Sequence, residues 1–132
     1  MNEPSVFTKI IKGEIPSHKV YEDENSLAFL NIHPSVPGHV LVVPKKQVGR
    51  LEDMGSDDYT ALMLAVQKVL MRVKTVLGVP FPCVKVEGFD ITNHAHVHVV
   101  PCHNPEDFAK REATTEPDHE ALAAMAQRLY FE

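Results

Sequence analysis

The segment at residues 94–100 reads His-Ala-His-Val-His-Val-Val and places a histidine at every second position. Strict alternation of polar and apolar residues predicts a β-strand, because successive side chains of a strand point to opposite faces of its sheet. The imidazoles of His94, His96 and His98 are therefore expected on one face, with the intervening Ala and Val side chains on the other. The pattern predicts a sheet that presents a row of three imidazoles.

Two kinds of functional site compete for this row. Histidine is the commonest metal ligand near neutral pH, but residues two apart on a strand are about 6.6–6.8 Å apart, which separates His94 from His98 by about 13 Å. Because zinc holds its nitrogen ligands at about 2.0–2.1 Å, the outer rings would have to lean inward over the middle one. The spacing favours a catalytic or phosphate-binding row, in which one histidine is a nucleophile. A metal site and a plain exposed strand face remain as alternatives.

The length and composition of the chain exclude several classes of protein. With 132 residues the chain has the size of one domain, and its formal net charge of −5 argues against a protein that holds nucleic acid through phosphates. No apolar run approaches the roughly 18 residues of a membrane span and no signal-peptide pattern is present, so we expect no membrane partner. Cys83 and Cys102 make no disulfide framework and suit a reducing, cytoplasmic setting.

Helical and strand patterns follow each other along the rest of the chain. A long helix is expected to have Ser56 as its N-cap and to end near Leu77, because apolar residues recur there at helical spacing. The polar stretch at 112–118 has the composition of a flexible connector. The other expected elements are helices over residues 5–12 and 119–130 and strands over residues 19–22, 26–32, 40–43, 83–87 and 94–100. Helices and antiparallel strands in this order predict an α+β domain with its sheet covered on one face.

Three segments together resemble the histidine triad (HIT) nucleotide-binding and hydrolase family. Residues 94–100 match its signature of alternating histidines and apolar residues, residues 7–16 resemble its N-terminal segment, and residues 27–34 and 37–45 resemble its central hairpin. Three motifs in the family's order across residues 5–101 are far more specific than the histidine row alone. The chain is identified as a member of this family, nearest to its phosphoramidate-hydrolase branch.

The resemblance implies a HIT-like fold for a single domain over residues 1–132. This fold has a five-stranded antiparallel sheet, a long central helix and short flanking helices, with residues 110–132 as a C-terminal connector and helix. The resemblance also implies a homodimer in which two sheets join edge to edge. The implied ligand is a purine nucleotide, as an adenosine or guanosine monophosphate conjugate, and no cofactor is implied.

The resemblance also assigns roles to four histidines. Family members attack the α-phosphorus of a nucleotide conjugate with the middle histidine, which corresponds to His96, and water then hydrolyses the nucleotidyl-histidine to a nucleoside monophosphate. His98 is expected to contact phosphate oxygens and to help protonate the leaving group, which suits phosphoramidates because an amine needs that proton. His94 is expected to orient the site, and His39 corresponds to the family's fourth active-site histidine.

The nucleoside is expected on the hairpin, by the same resemblance. Asn31 stands where many relatives carry an aspartate that binds the ribose hydroxyls. Because a neutral amide lacks the charge-assisted hydrogen bond, we expect weak discrimination between ribonucleotides and deoxyribonucleotides. The apolar cleft for the base is expected to consist of Phe7, Ile10, Ile15, Phe29 and Ile32.

The chain departs from the family pattern at two further places. It lacks the Gly-Gln-Ser/Thr segment that donates hydrogen bonds to phosphate; Thr92 is expected to supply one hydroxyl there, and Asp90 would repel phosphate if it faced inward. Relatives with a structural zinc carry Cys-x-x-Cys where this chain has Ser5 and Thr8, and a histidine near Gln47. A closed tetrahedral site lacks its ligands, so no bound metal is expected.

The leading hypothesis is a nucleoside phosphoramidate hydrolase with His96 as its nucleophile. A dinucleoside polyphosphate hydrolase would use the same site on a different leaving group. A nucleotide-binding sensor or adaptor with little turnover is the alternative from another class, and the missing Gln and the altered Asn31 are consistent with it. Turnover separates an enzyme from a sensor, and comparing the two substrates separates the two enzymes.

Overall fold

The computed structural model describes residues 3–89 and 91–132. Within them, one antiparallel five-stranded sheet has the order β1-β2-β3-β5-β4. The strands are β1 (Lys19–Glu22), β2 (Ser26–Leu30), β3 (Val40–Pro44), β4 (Phe81–Lys85) and β5 (Val97–Cys102). The helices are α1 (Val6–Ile11), α2 (Ser56–Leu77), α3 (Pro105–Ala109) and α4 (His119–Leu129), with a 3-10 turn at Leu51–Asp53. The α+β class and the five-stranded sheet with a long helix are confirmed.

Helix α2 covers one face of the sheet. Its residues Leu62, Val66, Val69 and Val73 are fully buried and recur every three or four positions, which produces one apolar stripe. The stripe packs, together with α4, against strand residues that share this face of the sheet, namely Val20, Ala28, Leu30, Val40, Val42, Val97 and Val99. The main core therefore lies between the sheet and these two helices.

The opposite face of the sheet is partly covered as well. Phe7 of α1 packs there against Leu27, Phe29, Leu41 and Val43. Because α1 has only six residues, it covers part of this face and leaves room beside it. The expected covering of one face is provided by α2 and α4, and α1 in addition buries side chains of the central strands on part of the second face.

The ends of α1 and α2 follow local sequence signals, with one exception. The side chain of Ser5 caps α1, and Gly13 adopts a φ of 79° just beyond its end. Helix α2 ends at Leu77 as predicted, because Gly78 adopts a left-handed φ of 66°. Its N-cap is Gly55, however, and Ser56 is the first helical residue, so the predicted cap was wrong by one position.

The histidine strand is shorter than its alternation predicts. β5 begins at Val97, and residues 91–96 form an irregular loop. In that loop Asn93 has a φ of 52°, and the N–H of Ala95 donates to the carbonyl of Val48 at 2.7 Å. The backbone before Val97 is therefore hydrogen-bonded away from the sheet. Among the other strands, β2 ends two residues earlier and β4 lies two residues earlier than predicted, and α3 was not predicted.

Cys83 and Cys102 are free thiols, and burial raises the pKa of Cys102 to about 11. Across the part of the chain that the structure describes, no helix combines the length and the apolar character that crossing a membrane requires.

Candidate active site

A cavity of about 410 Å³, the histidine cavity, lies between α1, the end of β2 and the loop before β5. Its volume is typical of a small-molecule site. It is lined by His96, His98 and every residue predicted for nucleotide binding, namely Phe7, Ile10, Ile15, Phe29, Asn31, Ile32 and Thr92. Sequence reasoning missed other lining residues, among them Val6, Leu41, Glu87, Phe89 and Glu112. The remaining predicted residues, His94 and His39, are buried behind the cavity wall and contact its histidines.

His96 is held in one tautomer. Its Nδ1 lies 3.0 Å from the carbonyl oxygen of His94. A carbonyl only accepts, so Nδ1 of His96 carries the proton, and Nε2 of the neutral ring keeps its lone pair. The ring also packs edge-on against Phe7, with 5.1 Å between ring centroids. His96 therefore presents an oriented imidazole whose Nε2 is able to act as a nucleophile.

His98 is held in the opposite tautomer by a chain of hydrogen bonds. The backbone N–H of Ser35 donates to Nδ1 of His39 at 3.1 Å, which leaves the proton of the neutral His39 ring on Nε2. That Nε2 donates to Nδ1 of His98 at 2.8 Å. Nε2 of His98 consequently carries a proton, and it is buried without a hydrogen-bond partner among the described residues. The chain ends in an unpaired N–H donor at the wall of the histidine cavity.

Burial keeps both members of this pair neutral. Burial, followed by the effect of His98, lowers the pKa of His39 to about 3. Burial also lowers the pKa of His98, and His96 adds to the effect, whereas Glu112 and Glu87 oppose it. Near pH 7 the two rings are therefore uncharged, which agrees with the tautomers that their hydrogen bonds require.

His94 is buried, and its hydrogen bonds connect three parts of the fold. Its Nε2 donates to the carbonyl of Pro44 at 2.7 Å, and its Nδ1 accepts from the hydroxyl of Ser5 at 2.7 Å. Only 1% of its surface is exposed, so it is out of reach of a ligand in the cavity. Its backbone carbonyl is the acceptor that orients His96. These contacts are those of a positioning residue.

The loop that replaces the Gly-Gln-Ser/Thr segment offers few donors. The hydroxyl of Thr92 donates to the carbonyl of His94 at 3.0 Å, so in this arrangement it has no proton for a phosphate oxygen. A carboxylate oxygen of Glu87 lies 3.6 Å from Nε2 of His98, which is too long for a hydrogen bond. The expectation for Asp90 lies outside the described residues.

Asn31 has a partner that the sequence did not suggest. Only 6% of Asn31 is exposed; its Oδ1 accepts from the N–H of His33 at 2.8 Å, and its Nδ2 donates to a carboxylate oxygen of Glu112 at 2.6 Å. Glu112 belongs to the stretch predicted as a flexible connector. The N–H of Ala113 also donates to the carbonyl of His33 at 3.2 Å. The segment is thus tied to the hairpin at two neighbouring points and brings a carboxylate to the cavity.

Comparison with known proteins gives the family. A family model described as HIT domain matches residues 12–104. The chain belongs to the HIT family. An uncharacterized HIT-like protein of Methanocaldococcus jannaschii is 41% identical to it over 100 residues, which cover 73% of this chain and 77% of that protein. An adenosine 5'-monophosphoramidase of Candida albicans is 35% identical over 105 residues, which cover 73% of this chain and 68% of that enzyme.

The HIT fold is also found by comparison of structures. The crystal structure of a HIT-like protein involved in cell-cycle regulation from Bartonella henselae matches this chain with a TM-score of 0.82. The two are 29% identical in sequence, and the match covers 97% of this chain and 95% of the other. The HIT-like fold predicted from the resemblance is therefore confirmed over almost the whole chain.

This HIT chain has a hydrogen-bond network at the positions to which the family resemblance assigns the ligands of a structural zinc. The Thr8 hydroxyl donates to Oε1 of Gln47 at 2.7 Å, and the backbone N–H of Ser5 donates to the same oxygen at 2.8 Å. The Ser5 hydroxyl completes the network by its bond to His94. Two hydroxyls, an amide and one imidazole do not fit a tetrahedral zinc site. In residues 3–89 and 91–132, no three His, Cys, Asp or Glu side chains are grouped to hold a metal ion.

Ser5→Ala is expected to lower the free energy of unfolding by roughly 2 kcal/mol. The change removes the N-cap of α1 and leaves Nδ1 of the buried His94 without its donor. Urea unfolding measures the effect. Ser56→Ala is the matched control, because Ser56 is exposed and its side chain does not cap α2; a change within about 0.5 kcal/mol is expected there. Equal losses in both variants would contradict the network's role.

Proposed function

We propose that this HIT chain hydrolyses nucleoside 5'-phosphoramidates or related nucleotide conjugates through a covalent intermediate on His96. The observation that carries the proposal is the pairing of tautomers in the histidine cavity. His96 offers an unprotonated Nε2, and His98 beside it offers a buried, unpaired N–H. Their ring centroids are 5.1 Å apart. A nucleophile next to a donor suits attack on a phosphoryl group, whose oxygens need donors. The relationship to an adenosine 5'-monophosphoramidase supports this reaction class.

The proposed reaction has two displacements at phosphorus. In the first, Nε2 of His96 forms a bond to the α-phosphorus, the bond from phosphorus to the leaving nitrogen breaks, and the amine leaves with an added proton. In the second, water attacks the phosphorus, the bond to His96 breaks, and a nucleoside monophosphate is released. Each displacement moves negative charge over the phosphoryl oxygens, which the N–H of His98 is placed to stabilise.

The hydrogen-bond chain favours phosphate binding over proton transfer as the role of His98. Its Nδ1 faces the N–H of His39, whose own Nδ1 is occupied by the Ser35 N–H. A second proton on His98 would therefore oppose another N–H inside a buried pair. His98 is accordingly assigned as a fixed donor to a phosphate oxygen, and the leaving amine takes its proton from water.

The ligand and assembly proposed are a purine nucleotide and a homodimer. The apolar side chains that line the histidine cavity provide an apolar surface for a base. Strand β4 lies at the edge of the sheet, and its residues Phe81 and Val84 are exposed. An edge strand with unpaired backbone groups is a ready template for pairing with a second copy. Edge-to-edge pairing through β4 would cover these groups.

Hydrolysis of two conjugates tests the proposal. The first is an adenosine 5'-phosphoramidate with a fluorescent amine, the second is a diadenosine polyphosphate, and both are assayed in metal-free buffer. We expect the higher kcat/KM for the phosphoramidate, because the relationship to an adenosine 5'-monophosphoramidase favours that substrate class. A higher value for the polyphosphate would identify the alternative hydrolase. Binding of adenosine monophosphate with no turnover of either conjugate would identify a sensor and overturn the proposal.

A further inference from the structure

We propose that Glu112 is the residue that recognises the ribose hydroxyls of the nucleotide in this chain. The inference rests on the proposed function, since it takes the histidine cavity as a nucleotide site and assigns one specificity residue within it. It begins from the contact between Glu112 and Asn31, which brings a carboxylate to the cavity from a segment distant in sequence.

The hydrogen bonds leave Glu112 free to accept more. A carboxylate has two oxygens with about four lone-pair sites. Oε1 of Glu112 accepts one bond from Asn31, and Oε2 has no hydrogen-bond or ion-pair partner in the described part of the chain. Two neighbouring ribose hydroxyls are a pair of donors, and a carboxylate is the side chain that accepts from both with charge assistance. The free acceptor capacity therefore matches a vicinal diol.

Glu112 is exposed, and hydrogen bonds hold its carboxylate at the edge of the cavity. Asn31 is buried and its amide is oriented by the N–H of His33, which directs Nδ2 toward Glu112. The next residue, Ala113, is tied to the carbonyl of His33. Two hydrogen bonds from adjacent residues, both to the hairpin exit, fix the position of Glu112 before a ligand arrives. Such preorganisation increases the affinity that a hydrogen bond contributes.

The neutral amide of Asn31 is what permits this arrangement. Glu112 lies 2.6 Å from the side chain of Asn31, and a carboxylate at position 31 would place two like charges at that separation. The pair therefore consists of the neutral amide of Asn31 and the carboxylate of Glu112, which carries the negative charge. This reverses the expectation of weak ribose discrimination, which considered Asn31 by itself.

Substrate pairs that differ only in the ribose test the proposal. Adenosine and 2'-deoxyadenosine 5'-phosphoramidates with the same amine are compared by kcat/KM, and the dissociation constants of AMP and dAMP are measured alongside. The wild type is expected to prefer the ribonucleotide by about tenfold or more. Glu112→Gln is expected to bring this ratio close to one, with the larger loss for the ribonucleotide, because the deoxy substrate has only its 3'-hydroxyl to bond with residue 112.

Two further variants serve as controls. Glu116→Gln removes an exposed carboxylate from the same segment, without a hydrogen bond among the described residues, and is expected to keep the wild-type ratio. The double variant Asn31→Asp with Glu112→Gln moves the charge to position 31 and keeps a donor and an acceptor in contact. It is expected to restore the ribose preference that Glu112→Gln loses.

The outcomes separate the two proposals. Nucleotide binding with a ribose preference that Glu112→Gln leaves intact would overturn the role of Glu112 alone. An equal loss for both substrates in Glu112→Gln would also overturn it, because that is the effect of a structural tie. If the wild type neither binds AMP and dAMP nor hydrolyses either conjugate, the proposed function fails and the role of Glu112 fails with it.

Discussion

His96→Gly is expected to reduce turnover of an adenosine 5'-phosphoramidate by roughly 10³-fold or more. Of the described imidazoles that line the cavity, the variant removes the one whose Nδ1 donates to a backbone carbonyl, which leaves Nε2 of its neutral ring with the lone pair. His98 is not able to take over, because its Nε2 carries a proton. The initial rate of release of the fluorescent amine measures the loss.

Two measurements show whether the lower turnover reflects the missing nucleophile or a loss of nucleotide binding. AMP is expected to bind to the glycine variant, because the apolar cavity wall and the donor of His98 remain. In the wild type, mass spectrometry after an alkaline quench is expected to show a nucleotidyl adduct that the variant lacks. His103→Gly is the matched control, since His103 is exposed on the loop after β5. Full activity in His96→Gly would exclude His96 as the nucleophile.

The sequence predicts those parts of the fold that local signals define. Gly13 and Gly78 adopt left-handed φ values where helices were expected to end, and the buried stripe of α2 follows from its apolar spacing. Helix α3 had a similar local signal, with Asn104 as its N-cap and Pro105 at its first turn, which was overlooked. These features depend on neighbours in sequence and are therefore readable from it.

Other features depend on contacts between distant segments. Alternation extends the histidine strand back to residue 94, but the N–H of Ala95 pairs with Val48 outside the sheet, so β5 starts later. Glu112 meets Asn31 across 81 positions, and its segment has the composition of a loop. No periodicity marks either contact, because each is set by tertiary packing.

The candidate site also has some features that the sequence predicts and others that depend on tertiary contacts. Motif resemblance names nine of the residues that line the histidine cavity, His96 and His98 among them. It does not give their protonation, which depends on the backbone groups that each ring meets. The carbonyl of His94 fixes the tautomer of His96, and the N–H of Ser35 fixes that of His39. These assignments require the structure, and they decide which imidazole attacks and which one donates.

The stability of the fold is expected to fall as the pH drops below about 6.5, through His39. Its folded pKa is lowered to about 3 by burial, from an ordinary value of 6.5. Between these values the unfolded chain binds a proton at residue 39 that the folded chain does not, so stability rises with pH. The contribution is complete above pH 6.5 and is lost progressively toward pH 3. The lowered pKa values of His94 and His98 act in the same direction.

The window from pH 6.5 to about 4.5 separates the contribution of the buried histidines from that of the carboxylates. The stabilising carboxylates, such as Glu22 with its lowered pKa, lose their contribution only as the pH falls into the ordinary carboxyl range. One pKa unit corresponds to about 1.4 kcal/mol, so His39 alone is expected to remove roughly 2–3 kcal/mol across the window. Urea unfolding at several pH values measures the slope.

Two variants show whether His39 causes the dependence of the unfolding free energy on pH. His39→Asn is expected to be less stable at pH 7 but to lose less stability on acidification, because it removes the group that the unfolded state protonates. His103→Gln changes an exposed histidine and is expected to keep the wild-type slope. If His39→Asn does not fold, NMR titration of the wild type decides: the His39 ring should stay neutral down to about pH 4. A ring that titrates near pH 6.5 would show that the buried pair with His98 does not resist protonation, and the fixed donor proposed for phosphate binding would be lost with it.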